Sequence, residues 1–289
     1  MSRDSFSSAF RAPRTQVFCR VLLKLAICYG LVVLIAAVFQ RRLIYFPTRL
    51  RPETAASIAN QEGFQPWRNN AGQIMGWRLL ATAGASGAVL VVHGNAGSAV
   101  DRSYLAKPIH EAADVDVFVL EYPGYGPREG SPSLQSLVAA AEEAFDLLPR
   151  NVPRYIVSES LGVGVATHLA KTRREQVAGL MLFAPFNSLA SVGQAQMPFL
   201  PVWLMLRDRF EPARWLKDYR GPVGIVLAER DEVIPARFGR RLHDDYPGPK
   251  RIETIPRATH NEIADQPPEW WRTIFTFWEK NGTARDSVQ

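Results

Sequence analysis

Hydrophobic residues in this chain gather into short unbroken runs, separated by longer stretches in which apolar and polar positions follow a helical period. Ile74–Leu80, Ala88–Val92, Val115–Glu121, Tyr155–Ser158, Leu180–Phe183, Val223–Ala228 and Arg251–Ile255 read as strands. Ala99–Ala113, Leu134–Leu148, Leu161–Lys171, Ala236–Tyr246 and Pro268–Lys280 read as helices between them. Continuously apolar strands alternating with helices predict a mostly parallel sheet covered on both faces. The binding crevice of such a sheet lies at the carboxyl ends of its strands, and the small polar loops of this sequence fall there.

Two stretches depart from the alternation. From Leu25 to Phe39 the chain carries no charge, and Val21–Leu23 extend the run past the single Lys24. The 21–39 segment is close to the roughly 20 residues that cross a bilayer as a helix. An uncleaved membrane anchor fits this length; a cleaved leader fits the charged start and apolar core, with Ala36-Ala37 as a poor small-residue site. A helix buried in the fold is the third reading, disfavoured because the stretch is apolar all round. Arg11, Arg14, Arg20 and Lys24 precede or enter the span and Arg41, Arg42, Arg49 and Arg51 follow it, so charge gives no orientation. The second departure, 184–219, holds Pro185, Pro198, Pro201 and Pro212 with Met197, Phe199, Leu200, Trp203, Leu204 and Leu206. It reads either as a cap giving the crevice an apolar pocket or as a helix pair packed on the core.

The expected organisation is a basic tail over 1–20, an anchor over 21–39, a juxtamembrane linker over 40–62, a catalytic domain over 63–280 with the cap-like insertion, and a tail over 281–289.

Charge changes little beyond the N-terminal arm. The chain has a net charge of +6, but residues 1–53 hold nine basic and two acidic residues, leaving 25 basic and 26 acidic in the rest. The body is neutral, which argues against a nucleic-acid partner. Both cysteines, Cys19 and Cys28, lie in the arm, so no disulfide staples the body. The five histidines are scattered, without a metal-ligand spacing.

Candidate chemistry centres on Ser158-Glu159-Ser160-Leu161-Gly162, between the run Tyr155–Val157 and the helix that follows. A serine at a sharp strand-to-helix turn, with small residues two before and two after, describes a nucleophile elbow. Acyl transfer also needs a base, an acid to orient it and donors for an oxyanion. His260 follows the strand Arg251–Ile255, and Asp231 follows Val223–Ala228 with Glu229 and Glu232 as rivals in the same turn. The order Ser160, Asp231, His260 matches the Ser…Asp…His chain order of one particular fold. The amide of Leu161 and one from His93-Gly94-Asn95-Ala96-Gly97 are the oxyanion donors, with Gly94 and Gly97 permitting the turn.

With these residues in place the chain resembles the α/β-hydrolase superfamily, and more narrowly the membrane-anchored hydrolases of the Bem46 group and the mammalian α/β-hydrolase-domain proteins. The resemblance runs from about Arg42 to Lys280. It is carried by Leu43-Ile44-Tyr45-Phe46-Pro47, His93 to Gly97, Glu121-Tyr122-Pro123-Gly124-Tyr125-Gly126, Ser158 to Gly162, Ala184-Pro185-Phe186, Asp208-Arg209-Phe210, Asp231 to Pro235 and His260-Asn261. It implies an α/β-hydrolase fold, a Ser160 nucleophile, an Asp231 acid, a His260 base and oxyanion amides at Asn95 or Ala96 and Leu161, with no cofactor. Ser158 stands where glycine is usual, Ala228 where glycine is frequent, and Glu262 where aspartate is common. Tyr125 is expected either at the crevice or in the core. The expected function is a membrane-anchored serine hydrolase of carboxylic esters or thioesters, acting on a small-molecule or lipid acyl substrate. A tethered non-catalytic binding protein and a serine peptidase are the alternatives.

Overall fold

A computed structural model describes residues 14–282 of the chain. Residues 1–13 of the basic tail and 283–289 of the C-terminal tail lie outside the described residues. The chain divides into two compact units between Gln40 and Arg41.

In chain order the elements begin with helix α1 (Arg14–Ile44), strand β1 (Phe46–Pro47) and helix α2 (Pro52–Gln61). Strands β2 (Gln65–Arg68), β3 (Ile74–Leu79), β4 (Gly87–Val92) and β5 (Ala96–Gly97) follow, then helix α3 (Ser103–Ala112), strand β6 (Val115–Leu120) and helix α4 (Leu134–Asp146). Next come β7 (Arg154–Glu159), α5 (Gly162–Thr172) and β8 (Val177–Phe183), then the short helices α6 (Leu189–Gln196), α7 (Val202–Met205) and α8 (Pro212–Trp215). The chain closes with β9 (Val223–Ala228), α9 (Ala236–Asp245), β10 (Lys250–Ile255) and α10 (Pro268–Gly282).

The 31-residue helix α1 contains a stretch, Thr15–Ile44, long and apolar enough to cross a membrane by length and composition, with a window of mean hydropathy 2.6. A signal sequence meets the same test. At about 1.5 Å per residue α1 is roughly 46 Å long, which exceeds a hydrocarbon core of about 30 Å.

Eight strands form the main sheet in the order β10-β9-β8-β7-β4-β6-β3-β2, parallel except at β6-β3-β2. Every side chain of β4 is buried, as its unbroken apolar run requires. Leu90 and Val92 join a core with α4 and α5 on one face; Val89 and Val91 join a core with α3 and α10 on the other. This is the two-residue alternation of a strand buried on both sides. Each such aliphatic side chain contributes about 1.5–3 kcal/mol on burial. The strand order reverses at β4, between β6 and β7, so the loops leaving β4 and β7 open a crevice at the switch point.

All seven expected strands form, and the differences lie elsewhere. Residues 40–62, expected as a linker, hold the end of α1, β1 and α2; Tyr45, Ala55 and Ala59 are buried in the two cores. The helix expected from Ala99 to Ala113 is broken. A short turn at Ala99–Asp101, closed by a reciprocal Ser98–Asp101 cap, ends at Arg102, whose φ of −102° and ψ of 24° leave the helical region before α3 begins.

Candidate active site

The turn from β7 into α5 holds Ser160 at φ 50°, a left-handed conformation that costs energy for a residue with a Cβ. The surroundings fix it there. The Ser160 amide donates to the Phe183 carbonyl at 2.9 Å, and the elbow packs so tightly on β4 that a Cβ at Gly162 would lie 2.3 Å from the Val92 carbonyl oxygen. Ser158, two residues earlier, is fully buried, and its hydroxyl donates to the Met181 carbonyl at 3.3 Å. The residue that departs from the usual glycine therefore ties β7 to β8.

Ser160 Oγ lies 3.0 Å from His260 Nε2, and His260 Nδ1 lies 2.8 Å from Asp231 Oδ2. Asp231 accepts at Nδ1 and so assigns the imidazole proton to that nitrogen, leaving Nε2 to accept the serine proton. The other carboxylate oxygen of Asp231 accepts the amides of Val233 and Ile234 at 2.9 and 2.7 Å, which holds it for this task. Its rivals are placed elsewhere. Glu229 accepts the amide of Arg257, itself at φ 63°, and Glu232 lies on the exposed side of the turn. Glu262 accepts both the amide and the hydroxyl of Thr259 at 2.7 and 2.8 Å, shaping the loop that carries His260. These bonds hold the Glu262 carboxyl below the usual range.

The loop after β4 faces the serine. Of its two glycines, Gly97 uses a positive φ of 81° and Gly94 does not. The Gly94 amide is occupied by the Glu159 carboxylate at 3.2 Å, which leaves Asn95 and Ala96 as the oxyanion candidates of this loop. Phe46 donates to the Asn95 carbonyl at 2.8 Å and Thr48 to that of Gly97 at 3.0 Å, pairing β1 with β5 in parallel. Ala96, opposite Phe46, thereby turns its own amide out of the ladder. The Asn95 side chain donates to the Ile44 carbonyl at 3.1 Å. Tyr125 is buried rather than at the crevice, and its hydroxyl donates to the Asn95 carbonyl at 2.9 Å. Across the crevice, the amide of Leu161 is bonded to no group among the described residues.

A crevice of about 550 Å³ joins these parts, lined by Ser160, His260, Asn95, Ala96, Phe183 and Val233 together with Arg102, Tyr104 and Glu159. The last three form a polar cluster that the sequence pattern did not single out. Arg102 Nε pairs with Glu159 at 2.8 Å, Tyr104 donates to the same carboxylate at 2.6 Å, and Arg102 also donates to the Ala96 carbonyl at 2.6 Å. Burial opposes the Arg102 charge, but Glu159, Tyr104, Asp101 and Glu121 together outweigh it and its pKa is raised; burial and Glu159 push the Tyr104 hydroxyl up. The position of Glu159, directly before the serine, was the one available sequence signal.

Beneath the loop, burial holds His93 well below its ordinary pKa, and its Nδ1–H donates to the Gly94 carbonyl at 2.8 Å. Burial pushes the neighbouring Glu121 carboxyl up to about 8. The expectation of an apolar pocket supplied by the insertion gives way here. Met197, Phe199, Trp203 and Leu204 are exposed and do not line the crevice, whose apolar wall comes from the ends of β8 and the acid turn.

A mostly parallel sheet with a strained serine at this switch point defines an α/β-hydrolase. Residues 83–218 match the family model described as serine aminopeptidase, S33. The uncharacterized protein Rv2307c of Mycobacterium tuberculosis is 34% identical over 240 residues, 77% of this chain and 81% of that protein. The lysophosphatidylserine lipase ABHD12 of Macaca fascicularis is 28% identical over 61% of this chain and 50% of its own length. Among solved structures, the ferulic-acid complex of Est1E from Butyrivibrio proteoclasticus covers 73% of this chain and 98% of its own with a TM-score of 0.59 at 15% identity, a likeness of fold. The chain belongs to the α/β-hydrolase superfamily, in its Bem46-like group of α/β-hydrolase-domain-containing proteins.

Proposed function

We propose that this α/β-hydrolase is a membrane-anchored serine hydrolase that cleaves carboxylic esters or thioesters through Ser160, His260 and Asp231. The observation that carries the reading is the unbroken hydrogen-bonded chain from Ser160 Oγ through both nitrogens of His260 to Asp231, with the serine in a strained turn at a crevice. Ser160 Oγ attacks the acyl carbonyl carbon while its proton passes to His260 Nε2. The amides of Leu161 and of Asn95 or Ala96 stabilise the oxyanion of the tetrahedral intermediate. The bond to the leaving group breaks as His260 returns the proton to it, giving an acyl-Ser160 ester. Water, deprotonated by His260, attacks that ester, and the serine leaves with the proton restored.

The lipase named among the relatives and the apolar helix α1 favour lipidic acyl substrates at a membrane. The peptidase description of the family model favours a second reading, amide cleavage by the same residues. A fluorophosphonate probe tests the nucleophile: wild-type protein labels and Ser160→Ala does not. Absence of label on the wild type, or equal label on both, overturns the mechanism. A panel of p-nitrophenyl esters, acyl thioesters and aminoacyl anilides then reads the substrate class, with esters or thioesters turned over fastest.

A further inference from the structure

Two aspartates are buried among the described residues, Asp231 in the candidate site and Asp208 outside it. A buried carboxylate is costly unless its oxygens are bonded. Those of Asp208 are met by one short segment: Arg41 donates through two nitrogens at 2.9 and 3.2 Å, and Tyr45 donates its hydroxyl at 3.1 Å. The Arg41 side chain is half exposed and keeps water as a partner, whereas Tyr45 is buried. Burial and the carboxylate push the Tyr45 hydroxyl up, so it stays protonated and donates. The bond with no solvent substitute is the one from Tyr45.

Tyr45 directly precedes the strand on which the candidate oxyanion loop leans. The next residue, Phe46, donates its amide to the Asn95 carbonyl at 2.8 Å, and the residue before, Ile44, accepts the Asn95 side chain at 3.1 Å. Asn95 is thus held, backbone and side chain, by the two neighbours of Tyr45. A strand of two residues makes too few bonds to fix itself. Beyond its end, Gly126 donates to the Thr48 carbonyl at 2.8 Å and Leu50 donates to the Gly126 carbonyl at 2.9 Å. Before its start, the buried side-chain fastening is Tyr45 on Asp208.

Asp208 is itself located by the helix that leaves the candidate nucleophile. Two residues on, at most about 7 Å of chain, the buried Phe210 ring packs on α5 so closely that a Cβ at Gly164 would overlap it. The Phe210 carbonyl also accepts the amide of Leu189, the first residue of α6, at 2.9 Å. Leu161, the other candidate donor, is the N-cap of α5. Contacts therefore run from α5 through Phe210, Asp208 and Tyr45 to Phe46 and the Asn95 carbonyl. None of Tyr45, Asp208 and Phe210 lines the crevice.

We propose that Asp208 is a positioning residue for the oxyanion site: by holding Tyr45 it sets where β1 carries Asn95 and Ala96 relative to the amide of Leu161. The role rests on reading Ser160 as the nucleophile and these amides as the oxyanion donors. A spacing that matters only once the carbonyl oxygen carries charge is felt in the transition state and not in substrate binding.

The experiment uses the full-length chain and three compounds of one alkyl length: a chromogenic ester, a trifluoromethyl ketone and the corresponding trifluoromethyl carbinol. Ser160 Oγ adds to the ketone carbon as its proton passes to His260 Nε2, and the carbonyl electron pair moves to the oxygen, giving a hemiketal anion. The carbinol has no carbonyl to attack and reports occupancy of the crevice alone. Tyr45→Phe removes one hydroxyl and keeps the buried ring. It is expected to lower kcat about tenfold and to weaken ketone inhibition by the same factor, with KM and carbinol inhibition within about twofold of wild type. Asp208→Ala loses at least as much, and adding Tyr45→Phe to it costs nothing further. Asp208→Asn, which keeps an oxygen for the Tyr45 hydroxyl, stays within about threefold of wild type. Should Asp208→Ala fail to fold, Tyr45→Phe decides by itself. Wild-type kcat and ketone inhibition in Tyr45→Phe overturn the proposal, as does an equal weakening of ketone and carbinol, the mark of a general loosening of the fold. A wild type that neither turns over the ester nor adds to the ketone overturns the nucleophile reading, and the proposal with it; in the other outcomes that reading stands.

Discussion

The carboxylate of Glu159 accepts the amide hydrogen of Gly94 at 3.2 Å, so the residue before the serine holds the loop that faces it. The same carboxylate binds Arg102 and Tyr104, and Arg102 reaches on to the Ala96 carbonyl. The loops after β4 and β7, the candidate sources of oxyanion donors, are thereby braced to each other. Positioning of this kind acts on the transition state more than on substrate binding. Glu159→Ala is expected to lower kcat by about 10- to 100-fold with a much smaller change in KM. Glu159→Gln, which keeps an acceptor for Gly94, recovers part of the loss. Steady-state kinetics on a chromogenic ester separates the two parameters.

Asp231 and Glu229 lie two residues apart and are aimed at different partners. Asp231→Asn cannot hold the imidazole in the tautomer that accepts the serine proton, and is expected to lower kcat by about 10²- to 10⁴-fold. Glu229→Gln keeps an acceptor for the Arg257 amide and leaves kcat within about threefold of wild type. If Glu229→Gln proved the more damaging, the acid would have to be reassigned.

Ser158 fills a position where the fold commonly uses glycine, and it does so with a buried bond to Met181. Ser158→Gly removes that bond and adds backbone freedom to a strand. A destabilisation of about 1–2 kcal/mol in urea unfolding is expected, with turnover little changed because the side chain points away from the crevice. A large loss of activity at unchanged stability would refute this reading.

Stability should fall with rising pH because of Glu121. Its folded pKa, about 8, lies above the ordinary carboxylate value of 4.5 because burial disfavours the charged form. The stabilisation is complete below about pH 4.5 and is lost as pH rises toward 8, since the unfolded chain releases that proton first. His93, whose pKa burial lowers, acts in the opposite sense and costs stability as pH falls below the ordinary histidine value. Glu121→Gln removes only the first contribution. Its melting temperature, followed from pH 5 to 8.5, should decline less than that of the wild type.

The strands, and the three candidate residues that meet at the crevice, were legible because each is written locally. A run such as Ala88–Val92 is apolar at every position only if both faces are covered, and Ser160, Asp231 and His260 each follow such a run. The short strand after α1 was not legible. Phe46 and Pro47 are too few to show a period, and their partner is Ala96-Gly97, far along the chain. The break at Arg102 was hidden for a similar reason: its side chain leaves the helical register for Glu159, a contact set by the sheet order. The insertion leaves two readings open in the sequence because apolar content does not say which way a side chain faces. Met197, Phe199, Trp203 and Leu204 are as hydrophobic as any wall of a pocket, yet they face outward.

The short pairing of Phe46–Pro47 with Ala96–Gly97 bears on where the chain can be shortened at its N-terminal end. Trimming immediately after the last residue of α1 would preserve that pairing, but it would discard the Ile44 carbonyl that receives the Asn95 side chain, as well as Arg41. Trimming a few residues further on would remove the strand that the oxyanion loop leans against. A form shortened by limited proteolysis or by gene truncation therefore keeps the candidate site intact only if the cut falls before Arg41. Helix α1 ends among the residues that hold the candidate oxyanion loop, and the two cannot be parted at the boundary that the hydropathy pattern suggests.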